Sequence, residues 1–359
     1  MRTLLFLLLL FISVKTLSQH KGKVENLILV TIDGCRWQEV FCGADSSLLF
    51  NDKYRKTEAG RLTSKFWDAD VNKRREKLFP FLWNTVAKQG RLYGNRDLGS
   101  AFSVRNSTNI SYPGYAEIFT GYVDTAIKNN DMVYNKNTNV FEFLNRQKAL
   151  RGKVASFASW NRANDYLNIQ SSTFFINGGY EDVKGDNLSV MQQTLNNLQQ
   201  NYVSWEHSRA DYITYLHAKE YLRIHNPRVL SIGFAWTDDM AHDGSYPNYL
   251  EKVYFMDNMI QDLWSHVQTL PQYKNKTALL IMVDHGRGLG DEWRAHGPKI
   301  KHANETWLAV IAPGISSAGE MRNTKTYYND QLAQTIAKLL GYTFTAEHPV
   351  GDAINELIK

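Results

Sequence analysis

Residues 278–288 read Ala278-Leu279-Leu280-Ile281-Met282-Val283-Asp284-His285-Gly286-Arg287-Gly288. The apolar run from Ala278 to Val283 shows no polar alternation, the pattern of a strand buried on both faces. An aspartate and a histidine follow it at once. Two ionisable side chains at the end of a buried strand cost packing and desolvation unless something binds there. Four other runs share this character: Leu27–Ile32, Val154–Ala158, Val229–Trp236 and Leu308–Ile311. All five read as parallel-type strands. Helical patterns lie between them, over Phe79–Gln89 (closed by Gly90), Val140–Asn145, Leu188–Ile224, Asn248–Val267 and Asp330–Leu340. Strands alternating with helices predict a layered α/β fold with a mostly parallel central sheet.

Neither an internal repeat nor a low-complexity linker divides the chain, so residues 19–359 are expected to form one domain. Two stretches depart from the alternation. Asp45–Lys77 is charged and irregular, and Ser159–Asp186 is rich in Asn, Ser, Gly and aromatic residues. Insertions of this length are expected either as caps over a site or as surface loops.

The start of the chain has a different character. Arg2, the apolar run Leu4–Val14 and the small-x-small triplet Thr16-Leu17-Ser18 have the form of a secretory signal peptide over residues 1–18. The predicted location is outside the cytoplasm, in the periplasm or the medium. The run is short for a membrane span, and no later stretch is expected to cross one. With 43% hydrophobic and 13% aromatic residues and a net charge of +5, the composition is globular and implies no nucleic-acid-binding module. Cys35 and Cys42 are the only cysteines, so a zinc site built from four cysteines is excluded, though the two could pair with each other. Any metal must be held by His, Asp and Glu.

In open α/β sheets ligands gather beyond the carboxyl ends of the strands. The first strand runs into Asp33-Gly34-Cys35-Arg36-Trp37, and Asp33 taken alone fits a helix cap as well as a metal ligand. The Val229–Trp236 run leads into Thr237-Asp238-Asp239-Met240-Ala241-His242. There Asp238 and His242 share one face of a helical turn, with Asp239 as the competing carboxylate. The strand quoted first supplies Asp284 and His285. His296 follows in Ala295-His296-Gly297, with His302 as its alternative. Asp33, Asp238, His242, Asp284, His285 and His296 therefore form a set of carboxylates and imidazoles suited to zinc. Divided between two divalent ions about 4 Å apart, such a set can clamp the oxygens of a displacement at phosphorus. In Ile110-Ser111-Tyr112-Pro113-Gly114, Pro113 and Gly114 can initiate a helix whose N-terminal N–H groups face Ser111 and favour an anion. Taken alone Ser111 fits a helix cap; beside the ligand set it is the candidate nucleophile.

With these residues in place, the stretch from Asn26 to about Gly314 resembles the alkaline phosphatase superfamily, in particular its nucleotide pyrophosphatase/phosphodiesterase-like branch. Asp33-Gly34-Cys35-Arg36-Trp37 is similar to a D-G-x-R-W start, and Ser111-Tyr112-Pro113 with Thr120-Gly121 to a T-x-P…T-G nucleophile segment. Asp238…His242, Asp284-His285-Gly286 and His296-Gly297 match the metal pairs and the final histidine. The resemblance implies a three-layer sandwich with helices on both faces of the sheet. It implies two divalent metals, zinc by ligand type, one held by Asp238, His242 and His296 and the other by Asp33, Asp284 and His285. Ser111 would form a phosphoenzyme with a small-molecule phosphate ester, and Asn130 would bind a phosphoryl oxygen, with Asn129 competing. Arg287, Arg36 and Arg294 are further candidates for the substrate's charge, with the Lys and Arg residues of Asp45–Lys77 behind them. The chain departs from the branch at Ser111 (Thr there), Gly114 (often Asn) and Tyr115 (His), which leaves diester and monoester both open. Sulfatases share the fold, but their C/S-x-P-x-R motif lacks its Arg here. A non-catalytic binding protein on the same fold is the remaining alternative.

Overall fold

The computed structural model describes residues 23–55, 59–203, 205–322 and 324–358. The signal-peptide reading of residues 1–18 lies outside them. Among the described residues, no helix is long and apolar enough to cross a membrane.

Eleven strands are formed among the described residues. In chain order they are β1 Asn26–Ile32, β2 Arg91–Tyr93, β3 Ala101–Ser103, β4 Val154–Ala158, β5 Phe175–Gly178, β6 Val229–Phe234, β7 Thr277–Met282, β8 Glu305–Thr306, β9 Leu308–Ile311, β10 Gly319–Glu320 and β11 Thr326–Tyr328. Eight of them make one sheet in the order β10-β2-β9-β7-β1-β6-β4-β5, and β11-β3-β8 make a small second sheet. The centre, from β7 through β1, β6 and β4 to β5, is parallel. The strand expected over Leu308–Ile311 forms, but it runs antiparallel to both β7 and β2. Its apolar run records burial on both faces, which does not encode direction.

Alternate residues of the central strands enter two separate cores. Ile28, Val30 and Ile32 of β1 and Leu279 and Ile281 of β7 pack on one face, with the helices Asp211–His225 and Tyr246–Thr269. Leu27 and Leu29 of β1 and Leu280 and Met282 of β7 pack on the other, with the helices Ser111–Thr120, Val140–Arg146 and Leu332–Leu339. Helices on both faces make the three-layer α/β sandwich.

Three expectations change in detail. The single helix read over Leu188–Ile224 is two helices, Val190–Asn201 and Asp211–His225. The link between them lies against the end of β4, where Asn161 N donates to His207 O at 3.1 Å and Arg209 N to Ser159 O at 2.9 Å. Asp45–Lys77, read as irregular, contains the short helices Ser46–Leu49, Asp52–Arg55, Ala59–Phe66 and Val71–Leu78. The Asp45 and Asp70 side chains cap the first and last of these. Leu48, Leu49, Tyr54, Phe66 and Leu78 anchor the segment in the core. Within Ser159–Asp186, Phe175–Gly178 becomes β5, an edge strand of the main sheet. Cys35 and Cys42 are both free thiols.

Candidate active site

The ends of β1, β6 and β7 bring the candidate ligands to one place. β1 delivers Asp33, and the helix Trp236–Asp243 after β6 delivers Asp238 and His242. Asp284 and His285 follow β7, and His296 sits past the short turn Gly290–Arg294. Two groups form. In the first, His242 Nε2 lies 3.1 Å from Asp238 Oδ2 and 3.1 Å from His296 Nε2, and His296 Nε2 lies 3.7 Å from Asp238 Oδ1. In the second, His285 Nε2 lies 3.4 Å from Asp33 Oδ1 and 4.0 Å from Asp238 Oδ1. Asp238 therefore stands between the groups and belongs to both. Asp284, the third expected member of the second group, borders it. Its Oδ1 accepts Gly34 N at 3.0 Å, while its Oδ2 lies 3.5 Å from His285 Nε2.

Backbone carbonyls set the imidazoles. His285 Nδ1 is 2.9 Å from Gly286 O, and His296 Nδ1 is 3.2 Å from Asn109 O. A carbonyl only accepts, so each Nδ1 is the donor and each Nε2 is turned to the site, the orientation of a metal-binding histidine. Burial, with His285 close by, pushes His296 down to about 2, so it stays neutral.

The site holds more negative charge than the protein balances. Burial and the nearby Asp238 push the Asp33 carboxyl well above its usual range. Burial and Asp33 do the same to Asp284. Asp239 is pushed up to about 9 by burial and by Asp238. Asp238 alone is held well below the carboxylate range. Burial would raise it, but Arg287 and the two histidines more than offset that. Asp284 Oδ2 and Asp239 Oδ2 are buried without a hydrogen-bond partner. Crowded carboxylates, orphaned oxygens and converging imidazole nitrogens fit divalent cations.

Ser111 is the first residue of the helix Ser111–Thr120, after an extended Ile110 and a left-handed Asn109 (φ 49°). Its Oγ lies 3.2 Å from His285 Nε2 and 3.5 Å from Asp33 Oδ1. Gly114 allows the helix this close, because a Cβ there would stand 2.6 Å from the Asp284 carbonyl oxygen. The helix end offers less backbone donation than its sequence suggested. Tyr112 N donates to Asn130 Oδ1 at 2.9 Å, Gly114 N to Ile110 O at 3.0 Å, and Pro113 has no N–H.

Ser111 opens onto a cavity of about 130 Å³ lined by Asp33, Asp238, His242 and His296 together with Asn130, Trp160, Ser208 and Asp239. Asn130 rather than Asn129 reaches it, and with Oδ1 engaged by Tyr112 its Nδ2 is left to donate. Arg287 is placed differently from its expected role. It is 1% exposed, its Nη1 pairs with Asp238, and it donates to Trp293 O at 3.0 Å and Arg294 O at 2.6 Å. It holds the candidate ligand Asp238 from behind and does not line the cavity. Arg36 is buried against Glu39, and Arg294 donates to His242 O at 2.8 Å. His302, the alternative to His296, pairs instead with Glu305 at 3.0 Å.

Sequence reasoning passed over Trp160, Ser208 and the contacts of Tyr115. Tyr115 donates to Asp33 Oδ2 at 3.3 Å and stacks on Tyr166 at 4.8 Å. Trp160 and Ser208 meet as a single β-bridge between two irregular segments, a pairing without sequence periodicity.

No family model and no curated protein matches the sequence. Solved structures do match. Alkaline phosphatase PafA aligns with a TM-score of 0.62 at 12% identity, over 94% of this chain and 99% of its own. The lipoteichoic acid synthase LtaP from Listeria monocytogenes aligns with a TM-score of 0.59 at 13% identity, over 94% and 76%. A 2-O GAG sulfatase aligns with a TM-score of 0.56 at 12% identity, over 94% and 74%. The chain has the fold of the alkaline phosphatase superfamily. At these identities the likeness establishes architecture, so the chemistry rests on the site.

Proposed function

We propose that this chain is an exported, metal-dependent phosphoric ester hydrolase that acts through Ser111 and takes phosphodiesters in preference to monoesters. The observation that carries the reading is the position of Ser111 Oγ, beside His285 Nε2 and Asp33 Oδ1 at the mouth of a cavity walled by Asp238, His242 and His296. One divalent cation would be held by Asp238, His242 and His296, the other by Asp33, Asp284 and His285, with Asp238 close to both. When bound, they supply charge neutralisation and lower the pKa of a hydroxyl or water.

The protein's own groups do the rest. Ser111 Oγ–H gives up its proton to solvent water as Oγ attacks phosphorus in line with the leaving oxygen, the phosphorus–leaving-group bond breaks, and the departing oxygen takes up one proton from the same water. Water then hydrolyses the phosphoserine and frees the hydroxyl. Asn130 Nδ2 donates to a phosphoryl oxygen. Tyr115 donates to Asp33 Oδ2 and leaves Oδ1 to face His285 and Ser111.

The diester preference follows from charge. Among the described residues lining the cavity there are three carboxylates and no Lys or Arg. A dianionic monoester finds no side-chain cation for its second charge, whereas a monoanionic diester needs none. The cavity takes the phosphoryl group, and the ester substituents extend outward. Sulfate esters are also monoanionic, and a 2-O GAG sulfatase shares the fold, so sulfate ester hydrolysis is the second reading. Tyr115 stands where the sulfatase motif has its Arg, and the three histidines favour zinc over a harder metal.

Ser111→Ala is the test. The variant should lose at least about a thousandfold in turnover while binding zinc as the wild type does, and acid quenching of the wild type should capture phosphoserine at residue 111. Full activity in the variant would refute the nucleophile.

A further inference from the structure

The helix that presents Ser111 carries a carboxylate that never reaches the cavity. Glu117 is 0% exposed and takes N–H groups from two other segments. Its Oε1 accepts Arg105 N at 2.7 Å and Asp330 N at 3.2 Å. Its Oε2 accepts Asn106 N at 2.9 Å and Asn106 Nδ2 at 2.8 Å. A buried carboxylate without a cation in direct contact is costly, and four N–H donors are what offset that cost.

The chain of contacts continues toward the site. Asn106 Oδ1 accepts Thr108 N at 3.1 Å, Thr108 Oγ1 at 2.7 Å and Asn109 N at 3.0 Å, closing an Asx-type turn. That turn holds Asn109 left-handed at φ 49°. The Asn109 carbonyl then receives His296 Nδ1 at 3.2 Å, and two residues on the chain becomes Ser111. On the other side, Asn329, the neighbour of Asp330, donates through Nδ2 to Asp284 O at 3.1 Å.

We infer that Glu117 is a positioning residue: through Asn106 and Asn109 it sets the nucleophile Ser111 and the ligand face of His296 as one unit. The inference rests on the site reading given above. No polar atom of Glu117 needs to meet substrate. Its work is to keep the approach loop, the Ser111 helix and the His296 ring in fixed relation, where a shift of about 1 Å costs on the order of a hundredfold in rate.

The test compares Glu117→Gln, Asn106→Ala and the double variant with the wild type. Gln turns one acceptor oxygen into a donor facing N–H groups, and Ala removes the Asx turn without touching Glu117. Zinc affinity is read by competition with a chromophoric chelator, and kcat and KM on bis-p-nitrophenyl phosphate are read separately. A core variant at the far end of the helix Tyr246–Thr269, Val267→Ala, serves as the destabilised control. Each single variant should lower kcat by about 10- to 100-fold with KM within about threefold, and weaken zinc by about tenfold. The double variant should be no more than about twofold worse than the worse single, because both cut the same chain. The control should lose Tm and keep kcat and zinc affinity. Should Glu117→Gln fail to fold, Asn106→Ala decides. Variants that match the wild type within about twofold in kcat and zinc affinity, or a control that loses both equally, would overturn the inference. A wild type that binds zinc but turns over no ester would refute the hydrolase reading alone, with zinc affinity still deciding the role of Glu117. A wild type that binds no zinc would overturn both.

Discussion

His242 Nε2 and His296 Nε2 face each other at 3.1 Å, with Asp238 Oδ2 also 3.1 Å from the former. Arg287 Nη2 approaches His242 Nε2 only at 3.5 Å. Two imidazole nitrogens and a carboxylate oxygen from two segments thus converge on one point, a donor set that a divalent cation would satisfy.

Zinc binding should therefore stabilise the fold. At a free concentration about a hundredfold above Kd, zinc should add about 2.7 kcal/mol of unfolding free energy and raise Tm by roughly 5 °C. EDTA should reverse the gain, and His296→Ala should lose most of it. A Tm that neither zinc nor EDTA moves would contradict the metal assignment. Differential scanning fluorimetry decides it.

Arg287 offers a second check, because its guanidinium is wholly buried and holds Asp238 from behind. Removing one partner of such a pair leaves an uncompensated charge. Arg287→Met should destabilise the metal-free protein by roughly 3–5 kcal/mol, read by urea unfolding in EDTA, and zinc should restore part of the loss. A change below about 1 kcal/mol would place the anchoring of Asp238 elsewhere.

These two residues also show what the sequence makes legible. Asp33, Asp238, His242, Asp284 and His285 stand at or just beyond strand ends, and apolar runs buried on both faces mark those ends plainly, whereas His296 lies past the turn Gly290–Arg294 and is legible only as the missing member of the set. Arg287 sits in the same motif, but residue type alone cannot say whether a guanidinium points to a ligand or to solvent. Gly34 resolves it in three dimensions. At φ 59° a Cβ there would stand 2.6 Å from Arg287 Nη1 and 2.9 Å from Asp238 Oδ1, so the charged pair fills the space beneath the turn. Strand direction at β9, the short edge strands and the Trp160–Ser208 wall were not legible, because they depend on partners far along the chain. The helices within Asp45–Lys77 were only partly so: Asp45 and Asp70 are readable caps that the charge pattern obscured.

Asp257 gives a prediction in pH. Buried beneath the start of the helix around Leu82, it accepts Phe81 N at 2.7 Å and Leu82 N at 3.0 Å, and burial pushes it from 3.8 up to about 7. The folded state thus holds this proton more tightly than the unfolded chain. The resulting stability is fully present below about pH 4 and is lost as pH rises to about 7. Between those values the stability of the wild type relative to Asp257→Asn should fall by on the order of 2–4 kcal/mol, then level off. Parallel stability curves for the two proteins across that window would contradict the shift. Urea titrations at stepped pH supply the measurement.

The most direct test of the proposed chemistry is the initial rate of the zinc-loaded protein on bis-p-nitrophenyl phosphate, p-nitrophenyl phosphate and p-nitrophenyl sulfate, with EDTA and Ser111→Ala controls. The expected result is turnover of the diester at least about tenfold above the monoester, a difference of about 1.4 kcal/mol in barrier. Sulfate should be slowest, and either control should abolish activity. Fastest turnover of the sulfate, or none of the three by zinc-bound protein, would contradict a phosphoric ester hydrolase acting through Ser111.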